Sequence, residues 1–154
     1  MKKNCFENKL NIFFFLIFIL FVSPTNAQES KNLISAVLTE TTDKTRGIIK
    51  EDEGAYRLDY DDVYEQDTQA KYLQGMGFHG GGPSWLGIIH GAFSICESDL
   101  VTNLDSDVSV TGVSFWSEQK EDLEKISRVI ALIKSDNKIL LEAIEIAKKQ
   151  ELML

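Results

Sequence analysis

The chain has 154 residues, 44% of them hydrophobic, and carries a formal net charge of −8 at pH 7. Its length fits a single domain together with a targeting segment. The acidic balance disfavours nucleic acid or an anionic membrane as a partner and favours a basic protein, although the same charge also serves plain solubility.

The N-terminus has the pattern of a secretory signal peptide. Three lysines near the start precede an unbroken apolar run, Ile12 to Val22. This run is shorter than the ~20 residues of a membrane-spanning helix, so it is typical of a signal sequence rather than an anchor. The lysines are Lys2, Lys3 and Lys9.

Small residues at Thr25 and Ala27 predict cleavage after Ala27. We therefore expect a signal peptide over 1–27 and a single domain over 28–154. The protein is then exported, periplasmic or extracellular, with no membrane contact after cleavage; retention of the apolar run as an anchor is the alternative. Cleavage removes three lysines and one glutamate, which changes the net charge from −8 to −10.

The first part of the mature chain is typical of strands. Leu33–Leu38 is apolar and partly β-branched, and Gly47–Ile49 has a similar composition. Tyr56, Leu58 and Tyr60 alternate with polar residues, which is the period of a half-buried strand. We expect these segments to form an antiparallel meander.

The next segment, Asp61–Gln74, predicts a short helix that ends at Gly75. An acidic run overlaps its start and indicates either a solvated surface or a patch that binds a partner. The run comprises Asp59, Asp61, Asp62, Glu65 and Asp67.

The most specific stretch of the chain is Gly77-Phe78-His79-Gly80-Gly81-Gly82-Pro83-Ser84-Trp85, called the glycine segment below. Consecutive glycines permit positive φ angles and close approach of the backbone to another group. We expect a loop that displays Phe78 and His79, followed by a helix that begins at Trp85 and is capped by Ser84.

That helix carries apolar residues at the spacing of a buried face: Trp85, Ile88, Ile89, Ala92 and Cys96. Cys96 is therefore expected to pack in the core as a small hydrophobic residue. It is the only cysteine of the mature chain, so no internal disulfide is expected.

After the helix, Leu104–Asp107 predicts a turn, and Asp107–Trp116 predicts a strand with a bulge at Thr111–Gly112. Two helices follow, the first capped by Ser117 and the second after a break at Ser135–Asn137. Their apolar stripes are Leu123, Ile126, Val129, Ile130 and Ile133, then Leu140, Ala143, Ile144 and Ala147. The order of elements indicates an α+β fold: a small antiparallel sheet packed against three to four helices, after the signal peptide.

The two histidines, His79 and His90, are the first candidates for metal binding. Zinc sites need three or four ligands, and no H-x-x-x-H or H-E-x-x-H spacing is present. The glycine segment also lacks the Lys-Ser/Thr ending of a phosphate-binding loop. We therefore predict no cofactor, no metal and no enzymatic activity. A metal-dependent hydrolase built on His79, His90 and Asp105 is the least favoured hypothesis.

The glycine segment, the helix after it and Leu104-Asp105-Ser106-Asp107 together resemble the immunity protein 51 family of bacterial polymorphic toxin systems. That family has a Gly-aromatic-x-Gly-Asn-Gly-x-x-Trp segment that opens a helix, then an Asp-x-Glu turn, a strand and C-terminal helices. The resemblance extends over about Tyr56–Lys148. Gly81 stands where the family has Asn, and Asp107 where it has Glu.

The resemblance implies a non-enzymatic inhibitor whose partner is a cognate toxin protein rather than nucleic acid or a membrane. Contact is expected through the glycine segment and its acidic neighbours. The predicted partner-binding residues are Phe78, His79, Gly80, Gly82, Trp85, Asp105 and Asp107. The alternative is an exported small-ligand or glycan-binding domain in which Phe78, Trp85 and Trp116 stack on the ligand.

Overall fold

The computed structural model describes residues 25–40, 42–61 and 68–153. The basic and apolar parts of the predicted signal peptide lie outside the described residues. The same is true of the acidic run from Asp62 to Asp67.

Five α-helices and four β-strands form within these described ranges. They are α1 (Thr25–Thr39), β1 (Ile48–Asp52), β2 (Ala55–Tyr60), α2 (Thr68–Gly75), α3 (Gly82–Ile95), β3 (Asp105–Val108), β4 (Val113–Ser117), α4 (Lys120–Ser135) and α5 (Asn137–Lys149). A single 3-10 turn, Val101–Asn103, precedes β3. The predicted α+β class with a small antiparallel sheet is confirmed. None of the described helices is long and apolar enough to span a membrane.

The sheet has the strand order β1-β2-β4-β3, and every neighbouring pair is antiparallel. Alternation along β2 and β4 places one set of side chains against the helices. Leu58, Tyr60, Val113 and Phe115 form this inner face, and each is at most 2% exposed. Helices α3 and α4 pack on it and complete the core.

The two long helices that flank the core follow the predicted stripes. In α4 the stripe from Leu123 to Ile133 is fully buried, and in α5 Ile139, Ala143, Ile144 and Ala147 are buried. Helix α5 packs most extensively on α3. Gly91 allows this, because a Cβ atom there would lie 2.2 Å from the carbonyl oxygen of Ala143.

The prediction of a strand at Leu33–Leu38 is wrong, because this segment belongs to α1. In α1, Ser30 and Ile34 are buried four residues apart, and Ala36, Val37 and Leu38 are half-buried in succession, which is the pattern of a helix face rather than the alternation of a strand. The Nε of Arg128 donates to the carbonyl oxygen of Val37 at 2.7 Å, which joins the end of α1 to α4.

The predicted single strand over Asp107–Trp116 is also wrong, because the segment contains a hairpin. Strands β3 and β4 pair with each other, and the connection runs through Ser109–Gly112. Ser109 closes the turn: its backbone N–H donates to the oxygen of Gly112 at 2.9 Å, and its Oγ accepts from the N–H of Gly112 at 2.9 Å. The apolar residues change face at this turn, not at a bulge.

Both predicted serine caps lie next to the helix start rather than at it. Helix α3 begins at Gly82, and the Oγ of Ser84 inside its first turn accepts from the N–H of Gly80 at 2.9 Å. Helix α4 begins at Lys120, and Ser117 accepts from the N–H of Gln119 at 3.0 Å. The break before α5 is confirmed, with Asp136 as its capping residue.

Candidate functional site

The outward side of the sheet, opposite the helices, carries a row of polar and charged side chains. The strand register aligns Lys50, Arg57, Trp116 and Asp105 across the sheet, with Asp59, Ser114 and Asp107 in the next row. We call this surface the open face; it consists of Lys50, Asp52, Arg57, Asp59, Asp105, Asp107, Ser114 and Trp116. Its side chains are exposed or half-buried.

Asp59 lies at the centre of the open face and accepts hydrogen bonds from three neighbours. The distances to its oxygens are 2.9 Å from Lys50 Nζ, 3.0 Å from Arg57 Nη2 and 2.9 Å from Ser114 Oγ. Burial is the largest influence and raises the pKa of Asp59, but the hydrogen bonds together outweigh it and leave the pKa below its ordinary value. Asp59 is therefore held as a carboxylate that fixes the two cations.

Trp116 is the aromatic residue of the open face and is held by two strands. Its Nε1 donates to Oδ2 of Asp52 at 3.1 Å, and the same oxygen accepts from Arg57 Nη1 at 3.3 Å. The Arg57 guanidinium also lies 6.0 Å from the centre of the indole ring, within the range of a cation–π contact. Hydrogen bonding to Asp59 is the main reason that the pKa of Arg57 is raised.

Asp105 and Asp107 lie on β3, the strand at the edge of the sheet. Both side chains are exposed; Asp105 is directly opposite Trp116, and Asp107 is opposite Ser114. Within the described part of the chain, neither carboxylate has a hydrogen bond or an ion pair. They differ in this from Asp52 and Asp59 on the same face, both of which are paired with Arg57.

The glycine segment packs against the β3–β4 turn instead of standing away from the surface. Gly80, Gly81 and Gly82 are buried, and the N–H of Gly82 donates to the oxygen of Val110 at 3.3 Å. A Cβ atom at Gly82 would lie 2.2 Å from the oxygen of Gly112 and 2.3 Å from that of Ser109. The glycines therefore allow two loops to pack closely. The prediction that they form an exposed loop that displays its side chains is wrong for Gly80, Gly81 and Gly82, which are buried.

The seven predicted partner-binding residues do not form one surface. His79, Asp105 and Asp107 are exposed, Phe78 is half-buried against the core, and Gly80, Gly82 and Trp85 are buried. Trp85 is 0% exposed and makes an edge-on contact with the Tyr60 ring, with ring centres 5.5 Å apart. Buried members of the set can influence a partner only through the backbone that they position.

Sequence reasoning missed most of the open face. The sequence alone indicates Trp116 only as a stacking platform for a ligand and Asp59 only as part of an acidic run. Arg57 and Asp59 are the outward-facing positions of β2, and Ser114 and Trp116 are those of β4. The alternation of polar and apolar residues in each strand could have identified these positions. It does not show that β2 and β4 are neighbours, which is what brings the two pairs together.

The histidines and the cysteine lie in separate, ordinary environments. His90 is half-buried on α3, and burial lowers its pKa. Burial likewise raises the pKa of the Cys96 thiol, whose Sγ donates to the oxygen of Phe93 at 3.2 Å. No group of three or more His, Cys, Asp or Glu side chains suited to a metal occurs in the described ranges.

A groove between α2 and α5 has a volume of about 310 Å³. It is lined by Gln69, Tyr72, Asn137, Leu140 and Leu141. None of the aromatic residues expected to stack on a small ligand contributes to it.

Comparisons of the chain with protein-family models, with curated proteins and with solved structures give no match.

Proposed function

We propose that the chain is an immunity protein: it binds a cognate toxin protein and blocks it without catalysing a reaction. The glycine segment and the Asp105–Asp107 pair support this through their resemblance to the immunity protein 51 family. The observation that carries the proposal is the open face, where Trp116 is fixed by Asp52 and Arg57 on a side of the sheet that the described helices leave exposed.

This arrangement has the properties of a protein-binding surface. Tryptophan and arginine are the residue types that contribute most often to binding energy at protein interfaces. Here both are held in place before binding, because Arg57 bonds Asp52 and Asp59 and the indole N–H bonds Asp52. Side chains that are already ordered lose less conformational entropy when a partner arrives.

The predicted export bears on which toxin the protein meets. A cleaved chain outside the cytoplasm guards against a toxin that acts there, on the envelope or cell wall. The acidic charge instead suits a toxin with a basic cleft, such as one that acts on nucleic acid. The proposal covers a protein toxin of either class.

The alternative of a small-ligand or glycan-binding domain has less support. It relies on three aromatic platforms, of which Trp85 is fully buried and Phe78 packs against the core. Trp116 is half-buried like Phe78, and the Arg57 guanidinium lies over its ring.

Co-expression with the product of the neighbouring gene tests the proposal. We expect the neighbour to be toxic in its proper compartment and the wild-type protein to restore growth. Trp116→Ala should protect less while remaining folded by circular dichroism. Leu141→Ala, an exposed apolar position on α5, is the matched control and should protect fully.

Two results would overturn the proposal. One is a neighbour that is harmless when expressed alone in its proper compartment, and the other is a toxin that the wild-type protein leaves unbound and active. Full protection by Trp116→Ala would show that the open face is not the binding surface. His79 and Phe78 would then be the next candidates for toxin contact.

A further inference from the structure

We infer that the partner brings two basic side chains, lysine or arginine, to Asp105 and Asp107 beside Trp116. This inference rests on the proposed function and names the chemistry of the surface that the open face recognises.

The first support is the charge pattern of the open face. Lys50 and Arg57 are its two cations, and both contact Asp59; Arg57 also contacts Asp52. These four groups neutralise one another within the face. Asp105 and Asp107 are left over, and no cation of the described residues pairs with them. The face therefore carries two negative charges that a partner with two positive charges would complement.

The second support is geometric. Asp105 and Asp107 are two residues apart on one strand, so their side chains leave the same face about 6.8 Å apart. Basic residues two apart on a strand have a similar spacing, and those three or four apart on a helix lie about 5–6 Å apart. A partner element of ordinary geometry can therefore reach both carboxylates at once.

The third support is the position of Trp116. It pairs directly with Asp105 across the β3–β4 ladder. A cation that approaches Asp105 therefore also comes near the indole, and arginine is well suited to bind a carboxylate and stack on an aromatic ring together. Arg57, which pairs with Trp116 on the neighbouring strand β2, already makes a cation–π contact with the indole ring, at 6.0 Å from its centre.

Charged residues on an edge strand have a second use, since they discourage pairing with the edge of another sheet. The two uses predict different consequences of removing the charges. Loss of a partner contact weakens toxin binding, whereas loss of edge protection promotes self-association and leaves toxin binding as it was.

The test is a binding measurement between the purified mature protein and the protein encoded by the neighbouring gene, at low and high NaCl. The variant Asp105→Asn/Asp107→Asn removes both charges and keeps side-chain size. Glu142→Gln/Glu145→Gln on α5 removes the same charge at a distant surface and is the matched control. Urea unfolding of both variants checks that the fold is retained.

We expect the aspartate variant to bind roughly tenfold or more weakly than wild type, with a smaller loss of affinity as salt rises. The control variant should bind like wild type and keep the wild-type salt dependence. Equal affinity and equal salt dependence for both variants would overturn the inference while leaving the proposed function in place. Self-association of the aspartate variant with unchanged toxin affinity would overturn it too. Failure of the wild type to bind would instead remove the proposed function, and the inference with it.

Discussion

The indole N–H of Trp116 on β4 bonds the carboxylate of Asp52 on β1 at 3.1 Å, although β2 lies between the two strands. Arg57 on the intervening strand contacts both residues. The three strands are thus tied together on the open face as well as through the core. This part of the open face is held in place by its own hydrogen bonds, and pre-ordered side chains favour tight binding.

Asp59 should make the stability of the fold depend on pH in the acid range. Burial raises its pKa, but hydrogen bonds from Lys50, Arg57 and Ser114 outweigh burial and leave the pKa lowered. A carboxylate whose pKa is lower in the folded state adds stability above its unfolded value of about 4, and this is lost as the pH falls through the folded value. The free energy of unfolding, measured in urea, should therefore decline less below about pH 4 in Asp59→Asn than in wild type.

Asp107→Asn is the control for this prediction, because Asp107 is exposed and pairs with none of the described residues. Its stability should follow the wild-type dependence on pH. An Asp59→Asn curve parallel to wild type would contradict the lowered pKa of Asp59 in the folded state.

Gly82 should tolerate no side chain. Because a Cβ atom would meet two carbonyl oxygens of the β3–β4 turn, we expect Gly82→Ala to lower the free energy of unfolding by about 1–3 kcal/mol or more. Gly75→Ala is the matched variant, since no atom lies within 4 Å of its Cβ position and its φ is not positive. It should be neutral or stabilise by about 0.4–1 kcal/mol. Similar losses in both variants would contradict the packing role of the glycine segment.

Trp85 should matter for stability rather than for direct contact with a partner. The side chain is fully buried, so Trp85→Ala should cost roughly 3–5 kcal/mol in chemical denaturation. Trp116→Ala should cost less, because the Trp116 side chain is only half-buried. A Trp85→Ala protein with an unchanged melting temperature and no partner binding would instead make this indole a surface anchor.

The predicted cleavage after Ala27 falls near the start of α1 and keeps the residues through which the rest of this helix contacts the fold. Ser30 and Ile34 are buried, and Glu29 pairs with Lys138 at the start of α5. Mass spectrometry of protein from the native host should find a chain that begins at Gln28 or within a few residues of it. A recombinant chain that starts at Gln28 should unfold cooperatively. Recovery of an intact Met1 chain from the cytosol would contradict the prediction.

The parts of the fold that were predicted correctly are those encoded by local periodicity. The α4 stripe from Leu123 to Ile133 and the alternation around Leu58 each repeat along one element, so the sequence displays them directly. Trp85 was placed on a buried helix face for the same reason. Leu33–Leu38 was misassigned because a short apolar segment fits a strand or a buried helix equally well.

The open face could not be predicted from the sequence because it depends on contacts between distant parts of the chain. Asp52 and Trp116 meet only when β1, β2 and β4 are paired in that order. The packing of Gly82 on the β3–β4 turn is also a contact between separate segments. The family resemblance made Asp105 and Asp107 candidates, but only the register shows that they lie beside Trp116.

Hydrogen–deuterium exchange of the mature protein, alone and bound to the product of the neighbouring gene, tests the central claim most directly. If the toxin binds the open face, amide exchange should slow on binding in β3 and β4, over residues 105–117. It should also slow in the part of β2 that pairs with β4, over residues 56–60. Exchange in α2 and α5 should be unchanged. Protection confined to α2 and α5, or no protection by a toxin that binds, would contradict the account.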